Sequence, residues 1–154
     1  MPKVKKILAP TDFSGLAKLG IRYALEMVRD TNAEVIIYHV VDLGEGLKGI
    51  HSPLTPPYHD MLEDNRRLLD KFISDFPERL DLEIRLVVEF GAPFKNIVEL
   101  AEKENVDMIV MSTHGRTGLD HMILGSVTER VIARAPCPVL VVPRRATRAL
   151  SSAA

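Results

Sequence analysis

Short apolar runs alternate with amphipathic segments along the whole chain, and this alternation restricts the possible folds more than any other feature. Five runs are rich in aliphatic residues and are typical of buried or half-buried strands: residues 4–9, 34–41, 82–89, 108–111 and 138–142. Four intervening segments place apolar side chains at helical spacing: residues 17–28, 59–76, 93–101 and 126–135. The sequence therefore predicts five strands that alternate with four helices.

A regular alternation of strands and helices with right-handed crossovers produces an open, doubly wound parallel sheet. We expect a single-domain α/β fold with the strand order 3-2-1-4-5. The run at residues 82–89 alternates apolar and charged side chains, which favours an edge strand. Residues 42–58 contain three glycines and three prolines without periodicity, and we expect a long loop there. The domain is expected to span residues 1–145, with residues 146–154 as a disordered C-terminal tail.

Composition narrows the classes of partner and the cellular compartment. A net charge of −1 provides no general attraction for nucleic acid or anionic membrane. No apolar stretch approaches the roughly 18 residues of a membrane-spanning helix. Cys137 is the single cysteine, so no disulfide can form within the chain, as is typical of a reducing compartment. We therefore expect a soluble cytoplasmic protein that binds neither nucleic acid nor a membrane.

Potential ligand groups follow the first and the fourth predicted strands. These are Thr11 and Asp12 after the first strand, and residues 112–115 (STHG) after the fourth. In the 3-2-1-4-5 order the two strands are neighbours at the point where the winding reverses, and ligands of such sheets bind there. The glycine-bearing loop then reaches Ser126, which forms with Glu129 the Ser-x-x-Glu pattern of a capping box. A loop that leads into a helix N-terminus is suited to hold phosphate, so we expect an anion site in this crevice.

Five segments of the chain, taken together, resemble one protein family. They are residues 6–14 (KILAPTDFS), 39–42 (HVVD), 106–118 (VDMIVMSTHGRTG), 125–131 (GSVTERV) and 137–143 (CPVLVVP). On these segments the chain resembles the universal stress proteins, over about residues 3 to 143. The resemblance implies an adenine nucleotide alpha hydrolase-like fold and a small cytoplasmic homodimer linked to stress tolerance. One branch of that family binds ATP.

The nucleotide-binding branch carries the pattern Gly-x-x-Gly, nine residues, then Gly-Ser or Gly-Thr. In this chain Ser112 stands at the first glycine, Gly115 at the second, and Gly125–Ser126 at the end, with the nine-residue gap retained. Whether a serine fits at the first position depends on its backbone φ. The resemblance implies that ATP or another adenine nucleotide binds here, with Mg²⁺ or Mn²⁺ held through the nucleotide and near Asp12. The implied site residues are Pro10, Thr11, Asp12, Val40, Met111, Ser112, His114, Gly115, Arg116, Gly118, Gly125, Ser126 and Val127.

A structural role competes with the functional one at several positions. Asp12 is equally suited to cap the first helix, Gly115 and Gly118 are common turn residues, and Arg116 suits a solvated loop. His39 falls in a buried run and is more typical of a hydrogen-bonded core histidine than of a ligand-binding one.

Two hypotheses about function remain open. The chain contains neither Gly-x-Ser-x-Gly nor Gly-x-x-x-x-Gly-Lys, so we expect a nucleotide-binding regulatory protein with at most slow ATP hydrolysis. The alternative is a dimeric interaction module of the same fold that binds no nucleotide. Both hypotheses include a homodimer that pairs through the strand Val139–Val142, because an apolar sheet edge favours pairing with a second copy.

Overall fold

The computed structural model describes residues 3–44, 56–113 and 124–146. Within these residues five strands alternate with four α-helices, as predicted. All strand pairs are parallel, and the strands, numbered along the chain, lie in the order 3-2-1-4-5, which confirms the predicted topology. A 3₁₀ turn, Pro77–Asp81, precedes the third strand, and another, Arg144–Ala146, follows the fifth. The elements are β1 (Lys6–Pro10), α1 (Gly15–Val28), β2 (Glu34–Val41), α2 (Pro56–Ser74), β3 (Glu83–Phe90), α3 (Pro93–Lys103), β4 (Met108–Ser112), α4 (Ser126–Arg134) and β5 (Val139–Val142).

The sheet divides the core into two hydrophobic clusters. Successive strand residues point to opposite faces, so Ile7 and Val110 pack with α1 and α2, whereas Leu8 and Ile109 pack with α3 and α4. All four side chains are fully buried. β2 lies inside the sheet and is buried over nearly its whole length, as its continuous apolar sequence predicts.

Strands β1 and β4 separate after a short pairing, and Pro10 provides the reason. Their register pairs Ile7 with Met108 and Leu8 with Ile109, whereas β1 remains paired with β2 as far as Pro10. The Thr11 N–H donates to the Tyr38 carbonyl on β2 at 2.8 Å. Because consecutive residues direct their N–H groups to opposite edges, the position of Pro10 faces β4, where proline has no N–H to donate. Strand β1 thus extends one residue beyond the predicted run of residues 4–9, and Pro10 pairs with β2 alone.

Helix α1 approaches β4 closely, and a glycine in its middle makes this possible. Ser14 caps the helix by accepting from the Ala17 N–H at 3.1 Å. A Cβ added to Gly20 would lie 3.1 Å from the Ser112 hydroxyl oxygen and 3.2 Å from the Ser112 amide nitrogen. Glycine costs about 1 kcal/mol relative to alanine inside a helix. Its presence here is explained by the short distance between α1 and the end of β4.

Four charged side chains form an ion-pair network at the amino ends of the strands. Arg85 on β3 binds Glu34 at 2.7 Å through Nε and Glu104 at 2.7 Å through its terminal nitrogen. Lys6 adds contacts to both carboxylates at 3.4–3.7 Å. The hydrogen bonds from Arg85 lower the pKa of Glu104 to about 2. This network lies at the opposite end of the sheet from the residues that were predicted to bind a ligand.

One predicted helix start and one predicted helix cap were wrong. Helix α2 begins at Pro56, so the predicted loop does not extend to residue 58; residues 45–55 lie outside the described part. Proline is tolerated in a first helical turn because that N–H has no acceptor in the helix. In α4 the N-cap is Gly125 and Ser126 is already helical, so the expected capping box is absent.

The buried face of α4 is formed by two residues, and the start of the tail differs from expectation. Thr128 and Val131 face the sheet, whereas Ile132, one residue beyond that face, is 44% exposed. Ala146 was assigned to the disordered tail but belongs to the second 3₁₀ turn, where its carbonyl accepts from the Tyr23 hydroxyl at 2.8 Å. The remainder of the predicted tail, residues 147–154, lies outside the described residues.

Candidate functional site

A cleft of about 290 Å³ opens where β1 and β4 separate, at the carboxyl ends of the strands. This is the position at which ligands bind to doubly wound sheets. Every predicted site residue that the structure describes lines the cleft: Pro10, Thr11, Asp12, Val40, Met111, Ser112, Gly125, Ser126 and Val127. The other predicted residues, His114, Gly115, Arg116 and Gly118, lie outside the described part of the chain.

Asp12 sits in a connection that is anchored to β2 on one side and to α1 on the other. Thr11 is held by its N–H bond to Tyr38, and its carbonyl accepts from His39 Nδ1 at 2.8 Å. Because a carbonyl oxygen only accepts, Nδ1 of His39 carries a proton. His39 is thus the buried, hydrogen-bonded histidine that the sequence predicts. Asp12 is not the N-cap of α1, since Ser14 has that role; its Oδ1 accepts from the Ser14 N–H at 2.9 Å.

Ser112 is accommodated because its side chain points away from α4 and toward α1. Its hydroxyl donates to the Leu16 carbonyl, and it occupies the space left by Gly20. Ser112 is also absent from the non-glycine residues of the described chain that have positive φ, which are Phe13 and Asn105. A serine at the first glycine position of the family pattern therefore requires no left-handed backbone here.

The N-terminus of α4 supplies donors to the cleft. The first N–H groups of a helix have no acceptor within it, and the helix dipole makes this end positive. Ser126, Val127 and Thr128 form this turn, and all three line the cleft. The N-cap Gly125 has no side chain that would accept from these N–H groups. The Thr128 hydroxyl donates to the Ser112 carbonyl at 3.0 Å, which ties this turn to the end of β4.

Part of the cleft lining is apolar. Val40 and Met111 project from β2 and β4 on the face covered by α3, and Ile97 of α3 belongs to the same hydrophobic cluster. Tyr38 also lines the cleft, and its hydroxyl donates to Glu89 on β3. Burial raises the pKa of Tyr38, and the bond to Glu89 raises it further, so the phenol stays protonated. The cleft thus combines an apolar slot with a helix N-terminus of the kind that suits an anion.

Several lining residues were missed by the sequence reasoning. Two of them, Tyr38 and Thr128, could have been predicted. Tyr38 lies two residues before Val40 on β2 and must share its face. Thr128 lies in the first turn of α4, next to predicted residues. Pro93 and Ile97 reach the cleft only because α3 crosses over β2, which local sequence does not specify. The complete set of additional lining residues is Ala17, Tyr38, His39, Pro93, Ile97 and Thr128.

Asp12 is the one carboxylate among the described lining residues. No group of three or more His, Cys, Asp or Glu side chains able to hold a metal occurs in residues 3–44, 56–113 and 124–146. A single carboxylate beside hydroxyl groups suits Mg²⁺ that keeps its waters and is bound mainly by phosphate oxygens. The described helices include none that is long and apolar enough to cross a membrane.

Fold and cleft together define an α/β protein of the doubly wound class with a cleft at its topological switch point. The universal stress protein family model matches residues 3–143, and the chain belongs to that family. It is 37% identical over 147 residues to universal stress protein MJ0531 of Methanocaldococcus jannaschii, covering 91% of this chain and 82% of the relative.

Solved structures show the same fold. The structure of MJ0577 of M. jannaschii, which carries the universal stress protein name, has a TM-score of 0.78 at 34% identity, covering 92% of this chain and 97% of the other. A more distant universal stress protein, solved in complex with cAMP, has a TM-score of 0.63 at 22% identity, covering 92% and 98%. That likeness concerns the fold alone.

Proposed function

We propose that this universal stress protein binds an adenine nucleotide in the cleft and acts as a regulatory protein of the stress response. The observation that carries the proposal is the convergence of an apolar slot, one carboxylate and an open helix N-terminus in a single cleft. These three parts suit the base, the sugar and the phosphate of a nucleotide in their chemistry. The cAMP complex of a family member with this fold is consistent with it.

Each part of the nucleotide has candidate protein groups. The N–H groups of Ser126 and Val127 bind the phosphates, to which the α4 dipole adds attraction. Asp12 accepts hydrogen bonds from the ribose hydroxyls. Val40 and Met111, with Pro10 beside them, enclose the adenine ring. By the family pattern, the backbone of His114, Gly115, Arg116 and Gly118 contributes the remaining phosphate contacts.

ATP is the nucleotide we favour, with Mg²⁺ or Mn²⁺ bound through its phosphates and Asp12 close to the cation. Such a cation neutralises phosphate charge that Asp12 would otherwise repel. Asp12 is the one described lining side chain with a carboxylate base, and its Oδ1 already accepts from Ser14. We therefore propose a binding protein with at most slow ATP hydrolysis.

The test begins with denaturation of purified protein and mass spectrometry of released small molecules, followed by calorimetric titration of ATP with and without Mg²⁺. Gly115→Val, in the predicted phosphate loop, is expected to abolish binding. Gly15→Val is the matched control, because a Cβ at this exposed helix start meets none of the described atoms within 4 Å. Wild-type protein that neither retains nor titrates with any adenine nucleotide contradicts the proposal.

We further propose that two copies pair through β5. This strand forms one end of the sheet, and Leu140 on it is 36% exposed. Leu140→Asp is expected to shift the mass measured by light scattering from dimer to monomer. Leu80→Asp is the control, since Leu80 is 73% exposed on the turn before β3, at the other end of the sheet. An unchanged mass in the Leu140 variant at low concentration contradicts this interface.

The interaction-module hypothesis remains the second candidate, and the exposed edge of β5 is the observation in its favour. An intact dimer without nucleotide binding would support it.

A cytoplasmic location is proposed under both hypotheses. Cys137 is half-buried against the hydrophobic cluster on the α3 and α4 face, and burial raises the pKa of its thiol. Cell fractionation with an antibody against the protein tests the location.

A further inference from the structure

Phe13 adopts a backbone conformation that bulky residues rarely use. It connects β1 to α1 and has φ of 66°. Asn105, the other described non-glycine residue with positive φ, follows α3 and is of a type that tolerates this region. For a residue with a Cβ the left-handed conformation is strained, and it persists only where neighbouring contacts enforce it. Phe13 directly follows Asp12, so the strained residue adjoins the one carboxylate of the described cleft.

Ring contacts on one side hold Phe13 in this conformation. Its ring centroid lies 4.1 Å from that of His39 and 5.7 Å from that of Phe72, the latter edge to face. The Phe13 N–H donates to the Thr11 hydroxyl at 3.0 Å. The ring therefore anchors the connection to β2 and α2, on the face of the sheet that α1 covers.

We infer that Phe13 is a positioning residue for the cleft, whose left-handed backbone and anchored ring hold the Asp12 carboxylate at the sugar position. Thr11 is fixed to β2 through Tyr38 and His39, and Ser14 is fixed as the cap of α1. Because Thr11 and Ser14 are both held in place, the backbone φ of Phe13 determines whether Asp12 Oδ1 reaches the Ser14 N–H. The inference about nucleotide affinity rests on the proposed function, whereas the inference about the loop geometry does not.

The comparison of two small residues at position 13 separates positioning from simple packing. Both Phe13→Ala and Phe13→Gly remove the ring, but only glycine accepts positive φ without strain. If Phe13 positions Asp12, the alanine variant relaxes to negative φ and loses the geometry, whereas the glycine variant retains part of it. If Phe13 only fills the core, alanine is tolerated at least as well as glycine. Phe13→Tyr, which keeps the ring, is the conservative control.

Two measurements are made at a temperature where circular dichroism shows all variants folded. The first is amide hydrogen exchange by NMR at Ser14, whose N–H is bonded to Asp12. The second is the Kd for ATP with Mg²⁺. Relative to wild type, we expect Kd to rise about thirtyfold in Phe13→Ala and about threefold in Phe13→Gly, the tenfold difference being the cost of positive φ with a Cβ. Ser14 protection should fall in the same order, and Phe13→Tyr should resemble wild type.

Leu69→Ala supplies a control for loss of stability, because Leu69 is a fully buried residue of the same core cluster on α2. It should lower stability while Ser14 protection and Kd stay near wild type in the folded protein. Equal protection of Ser14 in all position-13 variants, or greater loss in glycine than in alanine, overturns the inference. If wild-type protein binds no nucleotide but Ser14 protection follows the expected order, the positioning role stands and the proposed function fails.

Discussion

Replacement of Gly20 by alanine tests the close packing between α1 and β4. Helix propensity alone favours the alanine by about 1 kcal/mol. Against this, the new Cβ would lie 3.1 Å from the Ser112 hydroxyl oxygen, 3.2 Å from the Ser112 nitrogen and 3.3 Å from the Met111 carbonyl carbon. Two of these atoms belong to the main chain of β4 and cannot rotate aside. We assign a cost of about 2 kcal/mol, within the usual range of overpacking.

The net expectation is that Gly20→Ala lowers the free energy of unfolding by about 1 kcal/mol. For a chain of this size, that corresponds to a fall in Tm of about 2–4 °C. The assay is urea unfolding followed by circular dichroism, together with thermal unfolding at neutral pH. Gly15→Ala is the matched control in the same helix, because its Cβ would meet none of the described atoms within 4 Å. That variant should be neutral or slightly more stable than wild type.

A second substitution identifies the contact that causes the loss. Ser112→Gly removes the hydroxyl that lies nearest to the new Cβ, so the double variant should recover part of the stability, as a double-mutant cycle measures. The recovery should be partial because the two main-chain contacts remain. The reasoning is refuted if Gly20→Ala stabilises the protein as much as Gly15→Ala does.

Two further predictions concern polar interactions at opposite ends of the sheet. Thr128→Val leaves the Ser112 carbonyl without its hydroxyl donor and should cost about 1–3 kcal/mol in urea unfolding; an unchanged midpoint would show that the bond does not anchor α4. Glu104→Gln tests pH dependence: the folded pKa of about 2 lies below the ordinary 4.5, so the stabilisation is present above pH 4.5 and is lost as pH falls toward 2. The difference between wild type and variant should be about 1 kcal/mol at pH 7 after solvent screening and should approach zero near pH 2. A constant difference across that range contradicts the role of the Arg85 pair.

Periodicity in the sequence was sufficient for the succession of strands and helices, whereas the strand order was taken from the commonest five-stranded arrangement. The apolar run at residues 34–41 coincides with β2, and the half-polar run before α3 is the edge strand β3. Helix starts and caps were harder to predict, because the same residue types occur at two kinds of position. Pro56 suits a loop as well as a first helical turn, and Ser126 suits both the N-cap and the first helical position.

The predicted lining residues lie at the carboxyl ends of β1, β2 and β4, just after β1, or at the start of α4, where topology brings these ends together. Ile97 could not be assigned in this way, because its distance to Val40 depends on how α3 crosses β2. Phe13 was equally hidden, since a positive φ is normally signalled by glycine or asparagine and not by an aromatic residue. The fit of Ser112 depends on Gly20, a residue far from it in sequence.

Strands β1 and β4 pair over a short length, so the boundary between them divides the sheet into two parts. On one side of this boundary lie β1, β2 and β3, and on the other lie β4 and β5. The registered pairs across it are Ile7 with Met108 and Leu8 with Ile109. A ligand bound in the cleft contacts both halves and links them. Ligand binding in the cleft is therefore expected to slow proteolysis at sites away from the cleft and to make the two halves unfold more cooperatively.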